Sequence, residues 1–382
     1  MSEIKILHLI SSSGFYGAEN VIIELTKSSQ INYFETVIGV FNNINNPNTE
    51  IAEEAKLNNL NVTIFLCQGR FDLRTILSIR KFIKVNNIKI VHSHGYKSNF
   101  YALMATMFTK VQKITTCHLW TEGSFKNRIY EAMDRFWVTR FDKIVTVSDK
   151  LKDQVLKTTV SSNKVTTIYN GIDLNRFNHP FKNSNLRKEF NIKKSTKVIG
   201  TIGRLTEQKG HLFLLESARQ ILKDFPDTGF LFVGDGHLRQ VLQNKIDELD
   251  LHNHVIFTGI RKDIPEILAM IDLFVLPSLD EGFPMILLEA MAAQKPVIAT
   301  NVGDVSSVLI NRKTGILIPP DDRTQLINAV TELLSDKKLA NELAHQGYLK
   351  VKENYSSQRM AEKYAEIYKD CFSFVGKISS PE

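Results

Sequence analysis

Cysteine is scarce in this chain. There are three in 382 residues (Cys67, Cys117, Cys371), and none stands in a Cys-x-x-Cys pair. That count disfavours a disulfide framework and a structural zinc site, and it makes free thiols in a reducing compartment the expectation. No run approaches the roughly 18 apolar residues that a membrane span needs. The first ten residues, Met1 to Ile10, hold a short apolar run broken by charge, with no small-residue cleavage site after it. They read as a first β-strand rather than a signal peptide, and the expected location is cytoplasmic. An Asp-x-Asp pair is missing, which leaves metal-bridged diphosphate binding unsupported. His92 and His94 could hold a metal, but no third ligand is apparent beside them, so no metal and no other cofactor is expected. No recognised nucleic-acid-binding module is present either.

What is there is ordinary for a globular protein: 43% hydrophobic and 23% charged residues. A single core seldom grows past about 250–300 residues, so two domains are expected. The net charge of +7 is uneven. Residues 1–180 hold 22 Lys and Arg against 15 Asp and Glu, whereas the remainder holds 26 against 26. An acidic partner is therefore expected for the first half only: an anionic membrane surface, a phosphate-bearing acceptor or nucleic acid. The segment Phe125–Arg140 mixes cations with aromatics and reads as an amphipathic helix suited to an anionic leaflet.

Short apolar runs alternate with helix-length amphipathic ones. In the first half the strand candidates are Ile4–Ile10, Phe34–Phe41, Val62–Leu66, Ile88–His92, Lys113–Cys117, Asp142–Val147 and Lys164–Tyr169. In the second they are Lys197–Ile202, Gly229–Val233, His254–Thr258, Leu273–Leu276, Pro296–Thr300 and Gly315–Ile318. This pattern predicts α/β architecture, with two tandem Rossmann-like domains and parallel sheets covered by helices on both faces. The expected division is 1–180 and 181–355, joined through the Asn-rich stretch Asn170–Asn185. Residues 356–382 are expected as a C-terminal helix belonging with the first domain. Ligands of doubly wound sheets bind at the carboxyl ends of the strands, at the topological switch point, so a cleft between the domains is the expected site.

Three segments of the second half carry chemistry. In Gly203-Arg204-Leu-Thr-Glu-Gln-Lys209-Gly210 a strand ends in glycine and two cations follow on one loop, a pattern suited to a pyrophosphate that Arg grips bidentately and Lys meets as a point charge. Gly234-Asp235-Gly236 after another strand implies a tight turn with close backbone approach. It is not the dinucleotide fingerprint, because Arg239 stands where a third glycine would be. The segment Pro277-Ser-Leu-Asp-Glu281-Gly282-Phe283-Pro284-Met285 through Glu289 predicts a glycine-containing loop and then a helix start. The N–H groups of such a helix start form an anion site. Glu289 in the helix can accept from both hydroxyls of a ribose, and Glu281 in the loop can touch a sugar hydroxyl.

These segments together resemble the donor-site signature of retaining glycosyltransferases of family 4, which have the two-domain GT-B fold. The resemblance spans nearly the whole chain: Asn170–Asp173 with Phe177 is similar to the family's interdomain segment, and Tyr355–Val375 to its returning C-terminal helix. It implies a hexosyltransferase-type enzyme that moves a sugar from a nucleoside-diphosphate sugar, most simply uridine-linked, to a lipid-linked or growing surface glycan. The donor would be bound by Gly17, Gly203, Arg204, Lys209, Gly234, Gly236, Glu281, Gly282, Phe283, Pro284, Met285 and Glu289. His118 would touch the donor sugar near the reacting carbon, and Gly14, Glu19, His92 and His94 would lie on the acceptor side. The catalytic set implied is Glu281, His118, Arg204 and Lys209. Ser148 reads instead as a helix N-cap. Two departures from the family pattern, Pro284 in place of glycine and Asp304 with Ser307 where Gly-Gly and Glu are usual, bear on which sugar is held. A nucleotide-sugar 2-epimerase and a non-catalytic nucleotide-sugar-binding subunit are the alternative readings.

Overall fold

A computed structural model describes residues 4–11, 14, 17–29, 34–44, 47–69, 71–118, 133–177 and 184–377. The chain divides into two compact units, Met1–Gly171 with Ser357–Glu382, and Ile172–Ser356. The division falls between Gly171 and Ile172, at the start of the Asn-rich stretch Asn170–Asn185. Ile172 already belongs to the second unit, where it donates its N–H to Tyr355 and bridges to Ser356.

The first unit is built on a parallel seven-stranded sheet. Its strands are β1 (Ile4–Ile10), β2 (Phe34–Asn43), β3 (Val62–Cys67), β4 (Ile90–His94), β5 (Gln112–Cys117), β6 (Lys143–Thr146) and β7 (Val165–Thr167). Their order is β3-β2-β1-β4-β5-β6-β7. The helices are α1 (Gly17–Ser29), α2 (Glu50–Leu57), α3 (Leu73–Val85), α4 (Tyr96–Thr106) and α5 (Asp149–Leu156), with the C-terminal α14 (Ser357–Lys377) packed on α1. Residues 133–138 are also helical; the rest of the cation-rich segment expected at 125–140 lies outside the described residues up to 132. Ser148 caps α5 as its sequence position suggested, its Oγ accepting from the Leu151 N–H at 3.2 Å.

The second unit holds a parallel six-stranded sheet of β8 (Lys197–Ile202), β9 (Thr228–Val233), β10 (Val255–Gly259), β11 (Leu273–Leu276), β12 (Val297–Thr300) and β13 (Ile316–Ile318), in the order β10-β9-β8-β11-β12-β13. Its helices are α6 (Ser184–Glu189), α7 (His211–Asp224), α8 (Arg239–Leu249), α9 (Ile264–Met270), α10 (Met285–Ala292), α11 (Val305–Val308), α12 (Arg323–Ser335) and α13 (Lys337–Asn354). The central strands are runs of apolar residues because both faces are covered: every residue of β9 and of β11 is buried.

In both sheets the order reverses at the first strand. The switch points therefore lie at the carboxyl ends of β1 and β4 in one unit, and of β8 and β11 in the other. Those four ends carry most of the residues singled out from the sequence.

Candidate active site

In the second unit, backbone packed on backbone builds the site. The loop after β8 (203–210) touches the loops that follow β9 and β11. Gly203 donates to the Val233 carbonyl, Leu205 to Asp235, Leu238 to Leu205, and Leu279 to Gln208, all at 2.8–3.0 Å. Glycine permits this closeness. A Cβ on Gly234 (φ +133°) would stand 2.0 Å from the Gly203 carbonyl oxygen, and one on Gly236 would stand 2.4 Å from that of Leu205. A Cβ on Gly210 (φ +61°) would meet the Pro277 oxygen at 2.0 Å. Gly303 (φ +54°), after β12, is tighter still, at 1.7 Å from the Glu281 carbonyl oxygen. No L side chain fits in these spaces, and the positive φ values add strain of their own. Gly303 was not among the residues picked from the sequence. Its signal there was its place after a strand, in the 302–308 segment where the family pattern has Gly-Gly.

This packing brings Lys209 and Glu281 together. The Lys209 ammonium donates to Glu281 Oε1 at 2.6 Å, and the Ser278 hydroxyl donates to the same oxygen at 2.6 Å. Glu281 is 6% exposed, so its charge is compensated by partners rather than by water. The sequence had assigned these two residues to different parts of a ligand; the structure makes them one unit. Ser278, fully buried, is fixed in turn by Thr300, whose hydroxyl donates to the Ser278 carbonyl. Arg204 projects from the same loop, exposed, with no ion pair among the described residues.

The helix predicted from Pro284–Met285 begins at Met285. Gly282 and Phe283 lead into it partly buried, the Phe283 ring 5.9 Å from that of Tyr355. No side chain caps α10, so its first N–H groups are left for another acceptor. Glu289 lies one turn on, partly buried. Desolvation raises its pKa to about 7, against the opposing pull of the Arg176 charge. Of the two departures from the family pattern, Ser307 has its carbonyl held by Lys350 and Tyr355, while its hydroxyl turns back to the Asp304 carbonyl at 2.6 Å.

In the first unit, parallel register decides which histidines meet. His8 of β1 pairs in register with His92 of β4, and His94 with Thr116 of β5. Alternate residues of a strand share a face, so His8, His92, His94 and Thr116 gather on one side of the sheet. His118 follows β5. His8 Nδ1 lies 3.1 Å from His94 Nε2, and His94 Nδ1 lies 3.2 Å from His118 Nε2. Burial holds all four imidazoles neutral. It lowers His8 to about 3 and His118 to about 4, and it moves His92 and His94 far below the usual value, with the neighbouring histidines adding to the effect.

His92 does not fit its expected place on the acceptor side. Its ring is fully buried, Nδ1 lies 2.8 Å from the Tyr368 hydroxyl and Nε2 lies 2.8 Å from that of Thr116, which also meets Tyr364 at 3.0 Å. The ring thus fastens α14 to the sheet. The sequence also offered no third ligand beside His92 and His94. The structure supplies His8, with one ring nitrogen from each of the three lying within 4.8 Å of the others. Nothing in the sequence marked His8, one histidine inside an apolar strand. Gly14 and Glu19 are both buried, Glu19 in the first turn of α1, and Gly17 is the first residue of that helix. A pocket of about 450 Å³ lined by Met104, Phe136, Trp137 and Arg140 also reaches Lys113, at the opposite end of β5 from His118.

Comparison with known proteins identifies the family. The family description "Glycosyltransferase Family 4" matches residues 17–176, and "Glycosyl transferases group 1" matches residues 182–350. An Escherichia coli UDP-Gal:alpha-D-GlcNAc-diphosphoundecaprenol alpha-1,3-galactosyltransferase is 29% identical over 78% of this chain and 80% of its own length. The Staphylococcus aureus capsular polysaccharide biosynthesis glycosyltransferase CapM is 24% identical over 78% of this chain and 80% of its own. Among solved structures, Anabaena Alr3699/HepE in complex with UDP superposes with a TM-score of 0.83 at 21% identity, covering 96% of this chain and 100% of that one. With two family descriptions spanning both units, and a GT-B glycosyltransferase fold over nearly its whole length, the chain belongs to the glycosyltransferases of family 4.

Proposed function

We propose that this enzyme transfers a sugar from a UDP-sugar, with retention of configuration, to a lipid-linked or growing cell-surface glycan, and that it does so without a metal. The observation that carries the reading is the knit of loops at the β8/β11 switch point. It sets the exposed Arg204, the Lys209–Glu281 pair and the uncapped start of α10, which carries Glu289, at the carboxyl ends of neighbouring strands of one sheet. Such an array matches a nucleoside-diphosphate sugar part by part. Arg204, Lys209 and the α10 N-terminus neutralise the departing diphosphate without a cation. Glu289 accepts from the ribose hydroxyls and Glu281 orients the sugar. His118 and Gly17 approach the donor sugar, with Gly14 and Glu19 toward the acceptor; His94, buried with both ring nitrogens engaged by His8 and His118, is left off the acceptor side. No protein nucleophile is apparent, so attack on the same face assisted by the leaving phosphate is the simplest retaining route. UDP in the structural relatives and a diphosphoundecaprenol acceptor in the Escherichia coli relative favour uridine and a lipid carrier.

The first unit is proposed to rest peripherally on the cytoplasmic side of an anionic membrane. α3 presents Leu73, Leu77 and Val85 to solvent beside the exposed Arg74, Arg80, Lys81 and Lys84, and no acidic residue lies within the helix. Among the described residues no helix is long and apolar enough to cross a membrane.

The test is a thermal-shift panel of UDP- and other nucleotide sugars. A ligand at about 100 times its Kd adds roughly 2.7 kcal/mol of stability. Arg204 is exposed and has no ion pair among the described residues, so Arg204→Ala should leave the melting temperature within about 1 °C and lower kcat/KM by about 100-fold, the loss of one charge-assisted phosphate contact. Unchanged turnover in that variant sinks the assignment.

A further inference from the structure

The histidines of the first unit form a chain that no role assigned so far explains. His8, His94 and His118 are joined end to end, Nδ1 to Nε2 at each step, at 3.1 and 3.2 Å. The far nitrogen of the first member, His8 Nε2, is buried without a partner among the described residues. Each neutral imidazole has one N–H and one bare nitrogen, so choosing the tautomer of one member dictates the others. Two assignments are possible. If the proton of His8 sits on Nε2, a buried N–H is left unpaired. If it sits on Nδ1, that N–H donates to His94 Nε2, His94 Nδ1–H donates to His118 Nε2, and only a bare nitrogen is orphaned. Orphaned buried donors are the rarer and costlier case, which selects the second assignment.

We infer that His8 and His94 are positioning residues that lock His118 as its Nδ1–H tautomer, so that it offers a hydrogen-bond donor to a hydroxyl or oxyanion rather than a basic nitrogen. His8 is held by its place in β1, fully buried and in register with His92. His92 stays outside the chain, its two nitrogens engaged by Tyr368 and Thr116. The same engagement weighs against a divalent cation among His8, His92 and His94, because binding one would break bonds that already satisfy His92 and His94. A lone orienting partner of this kind fixes both ring angle and tautomer, as second-layer hydrogen bonds do for ligating and catalytic histidines elsewhere. The consequence for the reaction rests on the proposed place of His118 beside the donor sugar; the tautomer itself does not.

The experiment uses the full chain labelled with ¹⁵N only in histidine, and long-range ¹H–¹⁵N correlations read each tautomer. His8, His94 and His118 should all appear as Nδ1–H forms, neutral throughout the pH range of activity, and unchanged by EDTA. An Nε2–H form at His94 or His118, or a stoichiometric divalent metal in protein prepared without chelator, overturns the relay. Kinetics tests the consequence. His94→Leu should lower kcat about tenfold or more with donor KM little changed, and His94→Asn, which keeps an N–H at the δ position, should recover most of that loss. Equal kcat in the wild type and His94→Leu, or a loss in His94→Leu that His94→Asn does not rescue, overturns the positioning role. Full activity in His118→Ala removes His118 from the reaction and the positioning role with it, leaving the spectra to judge the relay alone.

Discussion

Glu289 has its ionisation moved up to near neutral pH, and that has two consequences of opposite kind. Its folded pKa, raised by desolvation to about 7, lies above the ordinary value of 4.5. Ribose hydroxyls donate to a carboxylate, so donor affinity should rise as pH climbs from 6 to 8, several-fold across the interval. Glu289→Gln should bind more weakly with a flat profile, which isothermal titration with UDP at each pH would check. For stability the sign reverses. A carboxyl with a raised pKa costs the fold as it ionises, and that cost is complete above about pH 7. Glu289→Gln should therefore be more stable than the wild type at pH 8, by on the order of 1–3 kcal/mol, and indistinguishable from it near pH 4.5. Lys209 behaves differently from Arg204. Removing it strips the nearly buried Glu281 of its cation, so Lys209→Ala should lose both activity and about 1–3 kcal/mol of stability. The sequence displayed both residues but not their bond, because they are 72 positions apart and only the packing of two loops joins them.

At the scale of elements, the strands were the most legible part. β1, β8 and β11 run where the apolar runs place them, and the others differ from their runs by a few residues at the ends, since a covered parallel strand is simply an uninterrupted hydrophobic segment. The loops between them were legible only as composition. Gly203, Gly234 and Gly236 announced turns, but the reason for them, backbone seated against backbone across neighbouring strand ends, comes from strand order, which no local pattern reveals. Gly303 shows the difference. It lies at φ +54° against the Glu281 carbonyl, so Gly303→Ala must displace the loop that holds the Lys209–Glu281 pair. It should lower stability by roughly 1–3 kcal/mol through strain at positive φ and the close contact. It should also weaken UDP binding more than a stability loss of that size would alone, while a control such as Gly69→Ala, where a Cβ meets nothing within 4 Å, should change neither. Equal UDP affinity in Gly303→Ala and the wild type, by titration below the melting range, would show that the loop tolerates the shift.

For the whole molecule, the informative property is the distribution of charge. The excess of cations lies within residues 1–180, while the remainder, where the donor is proposed to bind, is balanced. A chain that needed cations only to grip a diphosphate would concentrate them in the donor unit. Their placement is the reason a second, acidic partner is proposed for the first half, and α3 is the surface on which that proposal can be tested. The cation-rich segment singled out from the sequence lies outside the described residues up to 132, but α3 carries the same combination: exposed Leu73 and Leu77 with Arg80, Lys81 and Lys84 on a helix without acids. β3, the edge strand beside it, adds exposed Ile64 and Leu66. An amphipathic surface of this kind binds by insertion of its apolar side chains and by attraction to anionic headgroups, and the second term is screened within about 10 Å at 0.1 M salt. The protein should therefore co-sediment with vesicles containing phosphatidylglycerol and not with phosphatidylcholine alone, and bound protein should fall as salt rises toward 0.5 M. Leu73→Glu with Leu77→Glu should abolish sedimentation, while Lys81→Gln with Lys84→Gln should reduce it and flatten its salt dependence. Both pairs lie on an exposed face, so transfer to a short water-soluble acceptor should persist in each. Binding that ignores lipid charge, or survives the paired glutamates, would move the membrane contact away from α3 and leave the excess charge of the first half to the acceptor.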